Sequence, residues 1–129
     1  MEKTFHKYSF ENLEVWQMAK DFVKDIYLLT NTFPNFEKYS LTSHINRAAI
    51  SIASNIAEGS TRTNFKDQAR FSQIAYGSLM EILCQIIIAR ELNYINDEDY
   101  YKLRKKIETI SFKINSLRKY QLKKITTKQ

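Results

Sequence analysis

The sequence predicts an all-α protein, an up-down-up-down antiparallel four-helix bundle, and three observations carry that expectation. The 129 residues include two Gly and one Pro, where average usage would supply about 15 of the two together. Folds built from tight turns, bulges and short strands lack the turn residues they would need. Apolar residues recur at steps of three and four in four separate segments, the signature of one helix face. The stretches between those segments are short, which makes sequence neighbours antiparallel neighbours in space. The expected layout is an N-terminal leader over residues 1–11, one bundle domain over 12–124 and a Lys-containing tail over 125–129.

The first helix is expected over about residues 12–31, where Leu13, Trp16, Ala19, Val23, Ile26, Tyr27 and Thr30 share a face. Thr32-Phe33-Pro34-Asn35 stops it, because Pro34 has no amide hydrogen and disfavours helical geometry at Phe33. The second is expected over 41–58 on Leu41, Ile45, Ala48, Ala49, Ile52 and Ile56, with Gly59 placed for a left-handed C-terminal cap. Its Ala and Ser residues invite close approach by a neighbour. The third, over 65–93, has Asn64 as N-cap and Asp67 in its first turn, then Phe71, Ala75, Leu79, Ile82, Ile86 and Ala89. Met80, Leu83, Cys84, Ile87 and Ile88 fall elsewhere on its circumference, so its middle reads as buried on more than one side. The fourth, over 97–124, steps Tyr100, Leu103, Ile107, Ile110, Ile114, Leu117, the a/d seam of antiparallel packing.

The composition is that of a globular chain, 43% hydrophobic and 26% charged. Met1 to Trp16 contain no apolar run, so no signal peptide is expected. The run from Ile82 to Ala89 is broken by Gln85 and closed by Arg90-Glu91, too short to cross a bilayer. A soluble cytoplasmic protein with no membrane partner is the expectation. The net charge of +6 is uneven: residues 1–99 hold 10 Lys+Arg and 13 Asp+Glu, a balance of −3, while residues 100–129 hold 10 Lys+Arg against Glu108 alone, a balance of +9. A segment so basic attracts polyanions and binds nucleic acid by releasing counterions. It is equally the solvated face of a helix with a Lys-rich end.

Enzymatic chemistry finds little support. Gly59 and Gly77 are too far apart for a phosphate-cradling loop or a dinucleotide fingerprint. His6 and His44 lack paired-ligand spacing and have no Glu three positions before them, which excludes a di-iron bundle. Cys84, the single cysteine, reads as an inert buried thiol. No catalytic residue, metal or cofactor is expected.

Polar residues on the helices are organised nonetheless. Arg47, Ser51, Ser54 and Glu58 share one face of the second helix, either a recognition stripe or its solvent side. Asn55 falls toward the apolar face, where an amide needs partners. Glu81 reads as a buried carboxylate in want of a cation, with Arg47 the candidate. On the fourth helix Tyr101, Lys105, Glu108, Phe112, Lys119 and Lys123 point away from the seam. Aromatics interleaved with Lys suit base stacking and phosphate neutralisation, and equally a subunit interface. Lys105, Arg118, Lys119, Lys123 and Lys124 are the candidate nucleic-acid contacts, and Tyr101, Phe112, Ile87 and Ile88 the candidate oligomer contacts.

The ordered residues carry a family resemblance. Phe10-x-x-Leu13-x-x-Trp16-x-x-Ala19, Phe33-Pro34-x-x-Glu37, Arg47-Ala48-Ala49-x-Ser51-Ile52, Asn55-Ile56-Ala57-Glu58-Gly59 and Gly77-Ser78-Leu79-x-Glu81 resemble the bacterial four-helix-bundle proteins described as 23S rRNA intervening-sequence proteins. The resemblance implies a ring-like homopentamer whose reading frame often lies inside an rRNA insertion. It also implies distant kinship with the accessory protein of diversity-generating retroelements, a basic pentamer that binds a reverse transcriptase and nucleic acid. The family has no established catalytic activity. As motif positions, Arg47, Asn55, Glu58, Gly59, Gly77 and Glu81 become candidates for a structural polar network or a subunit contact. Two functions follow: an oligomer that binds structured RNA through its basic fourth helix, or a protein-interaction scaffold with no nucleic-acid role.

Overall fold

A computed structural model describes residues 3–128 and the side chains of residues 3–125. Four helices account for the described chain, α1 (Glu14–Thr30), α2 (Leu41–Ser60), α3 (Phe65–Glu91) and α4 (Asp97–Lys128), with single 3-10 turns at Ser9–Asn12 and Asn35–Glu37 and no strand among the described residues. The fold is all-α, as the periodicity predicts. α4 continues to Lys128, through residues expected to be tail; Gln129 lies outside the described residues.

Local chemistry sets most of the boundaries. Asn64 caps α3 by accepting the Asp67 amide at 2.8 Å, as its position predicts. α3 ends in a Schellman motif, with the Asn93 amide donating to the Arg90 carbonyl and the Tyr94 amide to the Ala89 carbonyl, each at 2.9 Å. Asn93 sits at φ 64°, a left-handed conformation that Asn tolerates better than most residues. Asn96 then starts α4 by accepting the Asp99 amide at 2.7 Å, and Asp97, Glu98 and Asp99 fill the positive end of the helix.

Helix pairs meet through named contacts. Thr30 near the end of α1 donates to Asn46 Oδ1 near the start of α2 at 2.9 Å. Ser51 of α2 and Ser78 of α3 share a hydrogen bond of 2.8 Å. Ser72 near the start of α3 donates to Gln121 near the end of α4 at 2.7 Å. Between them Phe22, Ile26, Ile45, Ile52, Leu79, Ile82, Ile86, Ile110 and Ile114 form a fully buried core. Ile26 and the α2, α3 and α4 members lie on stripes that the sequence assigns inward, whereas Phe22 lies outside the α1 face so assigned and Tyr27, assigned to it, is exposed.

Ser72 and Gln121 are buried polar residues, and the arithmetic of their bond is asymmetric. Ser72→Ala leaves the Gln121 oxygen buried and unpaired, which is expected to cost about 1–3 kcal/mol. Ser72→Ala with Gln121→Leu is expected to recover most of that loss, and urea midpoints of the single and double variants measure the difference.

Gly59 departs from its expected role. It lies inside α2, not at a left-handed cap, and no glycine has positive φ. A β-carbon there would stand 2.9 Å from Phe71 Cβ, so the residue is small because α3 crosses at that point.

Tyr94, after α3, donates its hydroxyl to Glu37 Oε2 at 2.9 Å and packs its ring on Phe33. Desolvation first, and the bond to Glu37 second, hold this phenol above its ordinary pKa of 10.0. The folded chain then keeps a proton that the unfolded chain releases. That contribution to stability is full below about pH 10 and is lost as pH rises beyond it. Melting temperature is expected to fall across that window in the wild type and to fall less in Tyr94→Phe.

A candidate nucleic-acid interface on the fourth helix

The cations of α4 divide by the direction in which they point. Lys106 bonds Asp25 of α1 at 2.6 Å, Lys113 lies 3.2 Å from Glu14 of α1, and Lys102 lies 3.3 Å from Glu98 one turn earlier. Lys106 and Lys113 face acids of α1 and Lys102 faces one of its own helix, each exposed pair contributing little. Lys105 and Lys119 point outward, are exposed, and make no ion pair among the described residues. With them on the outward stripe are Tyr101, 57% exposed, and Phe112, 68% exposed. Phe112, Asn115, Ser116, Arg118 and Lys119 line a shallow cleft of about 280 Å³.

Toward the end of α4, Lys123 is exposed and Lys124 lies 5.3 Å above the Tyr120 ring, which itself meets Phe65 of α3 edge-on. Arg118 is half-buried with its Nε atom lacking a hydrogen bond. The Ser72–Gln121 bond brings the start of α3 here, and with it the exposed Lys66 and Arg70. Arg62 adds a further charge, stacked 4.6 Å over Phe71 and 4.0 Å from Glu58. The sequence reading missed these three, since they join the site only through long-range packing. The opposite end of α4 is acidic, with Asp97, Glu98 and Asp99. There Arg90 bonds Asp97 at 2.9 Å and lies 4.4 Å from the Tyr100 ring and 5.3 Å from the Tyr101 ring. The hydrogen bond to Asp97 holds the Arg90 pKa above its ordinary value, and desolvation opposes it. α4 thus opens on three acids and carries the +9 segment after them.

The polar motif residues of α2 and α3 are exposed or half-buried. Asn55 is half-buried, not in the core, and its Nδ2 donates to the Ser51 carbonyl at 2.8 Å and to Ser51 Oγ at 3.0 Å. Glu81 is exposed, as is Arg47, and no ion pair joins them; a carboxylate in water requires no cation, so the expected buried pairing falls. Cys84 is also exposed. Both corrections have one cause: α3 turns this stripe outward, where the apolar residues around it had placed it inside. Gly77 is exposed, and a β-carbon on it would meet nothing within 4 Å. Ile87 and Ile88 are exposed, as are Ile74 and Ile50. Taken whole, α3 is long and apolar enough to cross a membrane, a test that core helices of soluble proteins also pass. The shorter run 82–89 understated that helix.

No curated protein matches the chain. Among solved structures, a protein of unknown function from the S23 ribosomal protein family of Bacteroides thetaiotaomicron is similar, with a TM-score of 0.76 and 23% identity, over 81% of this chain and 98% of that one. At that identity the likeness bears on the fold. The profile of the family described as 23S rRNA-intervening sequence protein matches residues 11–116, which take in α1, α2, α3 and most of α4. The motifs that run from Phe10 to Glu81 are those of a known family, and the chain belongs to the 23S rRNA-intervening sequence proteins.

Proposed function

We propose that this protein is a non-enzymatic, cytoplasmic oligomer of up-down-up-down antiparallel bundles that binds structured RNA through α4. The carrying observation is the outward stripe on which Lys105 and Lys119, without acidic partners, alternate with the exposed Tyr101 and Phe112. Lys123, Lys124 and Arg118 extend it. Phosphate neutralisation by these side chains supplies affinity with little sequence selectivity, and the rings supply stacking.

The oligomer is a ring-like homopentamer in this proposal, on the family resemblance, and the α2–α3 outer side is its contact. Gly77 supports that placement. Glycine inside a helix costs about 1 kcal/mol relative to Ala, and nothing in the chain itself requires the missing side chain. Exposed Ile74, Ile87 and Ile88 on the same helix leave apolar surface for a second copy to cover. Five copies of the basic segment then act together, and weak contacts gain avidity.

Mobility shift of a structured RNA at low salt, alongside light scattering of the free protein, tests the proposal. A retained RNA and a mass of several chains are expected. Absence of RNA binding at low salt would leave the second reading, a scaffold presenting Tyr101 and Phe112 to a protein partner such as a reverse transcriptase.

A further inference from the structure

A concavity of the described chain lies away from the α4 stripe. The end of α1, the Phe33-Pro34 turn and the start of α2 enclose an open groove of about 740 Å³, within the range of ligand clefts, about 300–1,000 Å³. Three features of its wall bear on what it takes. Its charged side chains are Lys38 and Arg47, and neither Asp nor Glu lines it, so an anion is favoured. Two rings stand over it, Tyr39 at 87% exposure and Tyr27 at 43%, and Lys38 Nζ is held 5.5 Å above the Tyr39 ring. Asn46 lies in the wall with its oxygen accepting from the buried Thr30 at 2.9 Å, which fixes the amide and leaves its NH2 to donate.

A single exposed tyrosine is ordinary. Two of them in one groove with Lys38 and Arg47 form the combination that receives a base and its phosphates. We propose that this groove is a binding site for single-stranded nucleic acid. Tyr39 and Tyr27 stack on bases, Lys38 and Arg47 neutralise the flanking phosphates, and Asn46 donates to a base edge. The inference takes its partner class from the nucleic-acid reading above but none of its residues. The groove is lined by Phe33, whose ring packs on Tyr94 just before α4, whereas Lys119 and Lys123 lie near the end of α4. An RNA that grips the basic stripe with a folded part would present an unpaired segment here.

Fluorescence anisotropy with a labelled oligouridylate, and inorganic polyphosphate as the base-free probe, tests the site. Tyr39→Ala is expected to weaken oligouridylate by about 5- to 150-fold, the range of base–aromatic stacking, and to leave polyphosphate unchanged. Because Tyr39 is so exposed, the far-ultraviolet circular dichroism should not move. K38Q/R47Q is expected to lower the salt slope for oligouridylate by about 1.4, two single-strand phosphates. K119Q/K123Q is expected to weaken structured RNA and leave oligouridylate unchanged. Three results overturn the inference: no oligouridylate binding by the wild type at low salt, equal affinity of Tyr39→Ala and wild type, or equal loss of oligouridylate and polyphosphate in Tyr39→Ala. The wild type binding oligouridylate but no structured RNA would sink the α4 reading and keep this one.

Discussion

Gly59→Val is expected to destabilise the protein by about 2–3 kcal/mol, while Gly77→Ala is expected to stabilise the isolated chain by about 0.5–1 kcal/mol. Both glycines lie inside helices, so propensity alone predicts a gain at each. The surroundings reverse the sign at one. A β-carbon on Gly59 meets Phe71 Cβ at 2.9 Å, an atom next to the α3 backbone that cannot swing aside as the tip of a long side chain would. Packing at interior density then pushes α2 from α3 and opens contacts made by Ile56 and Phe71, both buried. At Gly77 the same carbon meets open space, and only the helix preference acts. Thermal melts read both effects, at about 4 °C per kcal/mol for a chain of this size. Under the proposed ring, Gly77→Glu leaves the helices intact and shifts the mass toward the single chain.

The triple substitution K105Q/K119Q/K123Q is expected to weaken structured RNA by about 10- to 100-fold at low salt, with the helical content unchanged. All three side chains are exposed, and Lys105 and Lys119 make no ion pair among the described residues. Each neutralised phosphate contributes about −0.7 to −0.9 to the slope of log affinity against log salt, and three lost contacts lower its magnitude by about 2 to 3 per protomer. A scaffold that binds only protein keeps its partner through the same substitutions. K102Q/K106Q/K113Q removes equal charge from lysines that face acids and is expected to weaken RNA less.

What the sequence made legible and what it hid divide along sequence separation. The four helices followed from steps of three and four, and Asn64 was recognisable as a cap because its partner is three residues away. The α4 seam was equally local: Tyr100, Leu103, Ile107, Ile110 and Ile114 are buried and Leu117 is half-buried. Glu81 and Cys84 were misplaced because the middle of α3 carries apolar residues nearly all round, and periodicity then loses its direction. Gly59 followed a sound rule for helix ends, yet α2 runs on to Ser60 and the glycine answers to α3. Lys66 and Arg70 joined the basic end through the Ser72–Gln121 contact of α3 with α4 that no local pattern encodes. The Thr32-Phe33-Pro34-Asn35 stop was read as punctuation, and its role as the wall of a groove appears only when Tyr27, Tyr39 and Arg47 converge on it.

The salt dependence of structured-RNA binding tests the central claim most directly. If the outward face of α4 holds phosphates, log affinity falls linearly with log salt, with a slope of several units that shrinks by about 2 to 3 in K105Q/K119Q/K123Q. A slope near zero, or one that the triple substitution leaves unchanged, would contradict it.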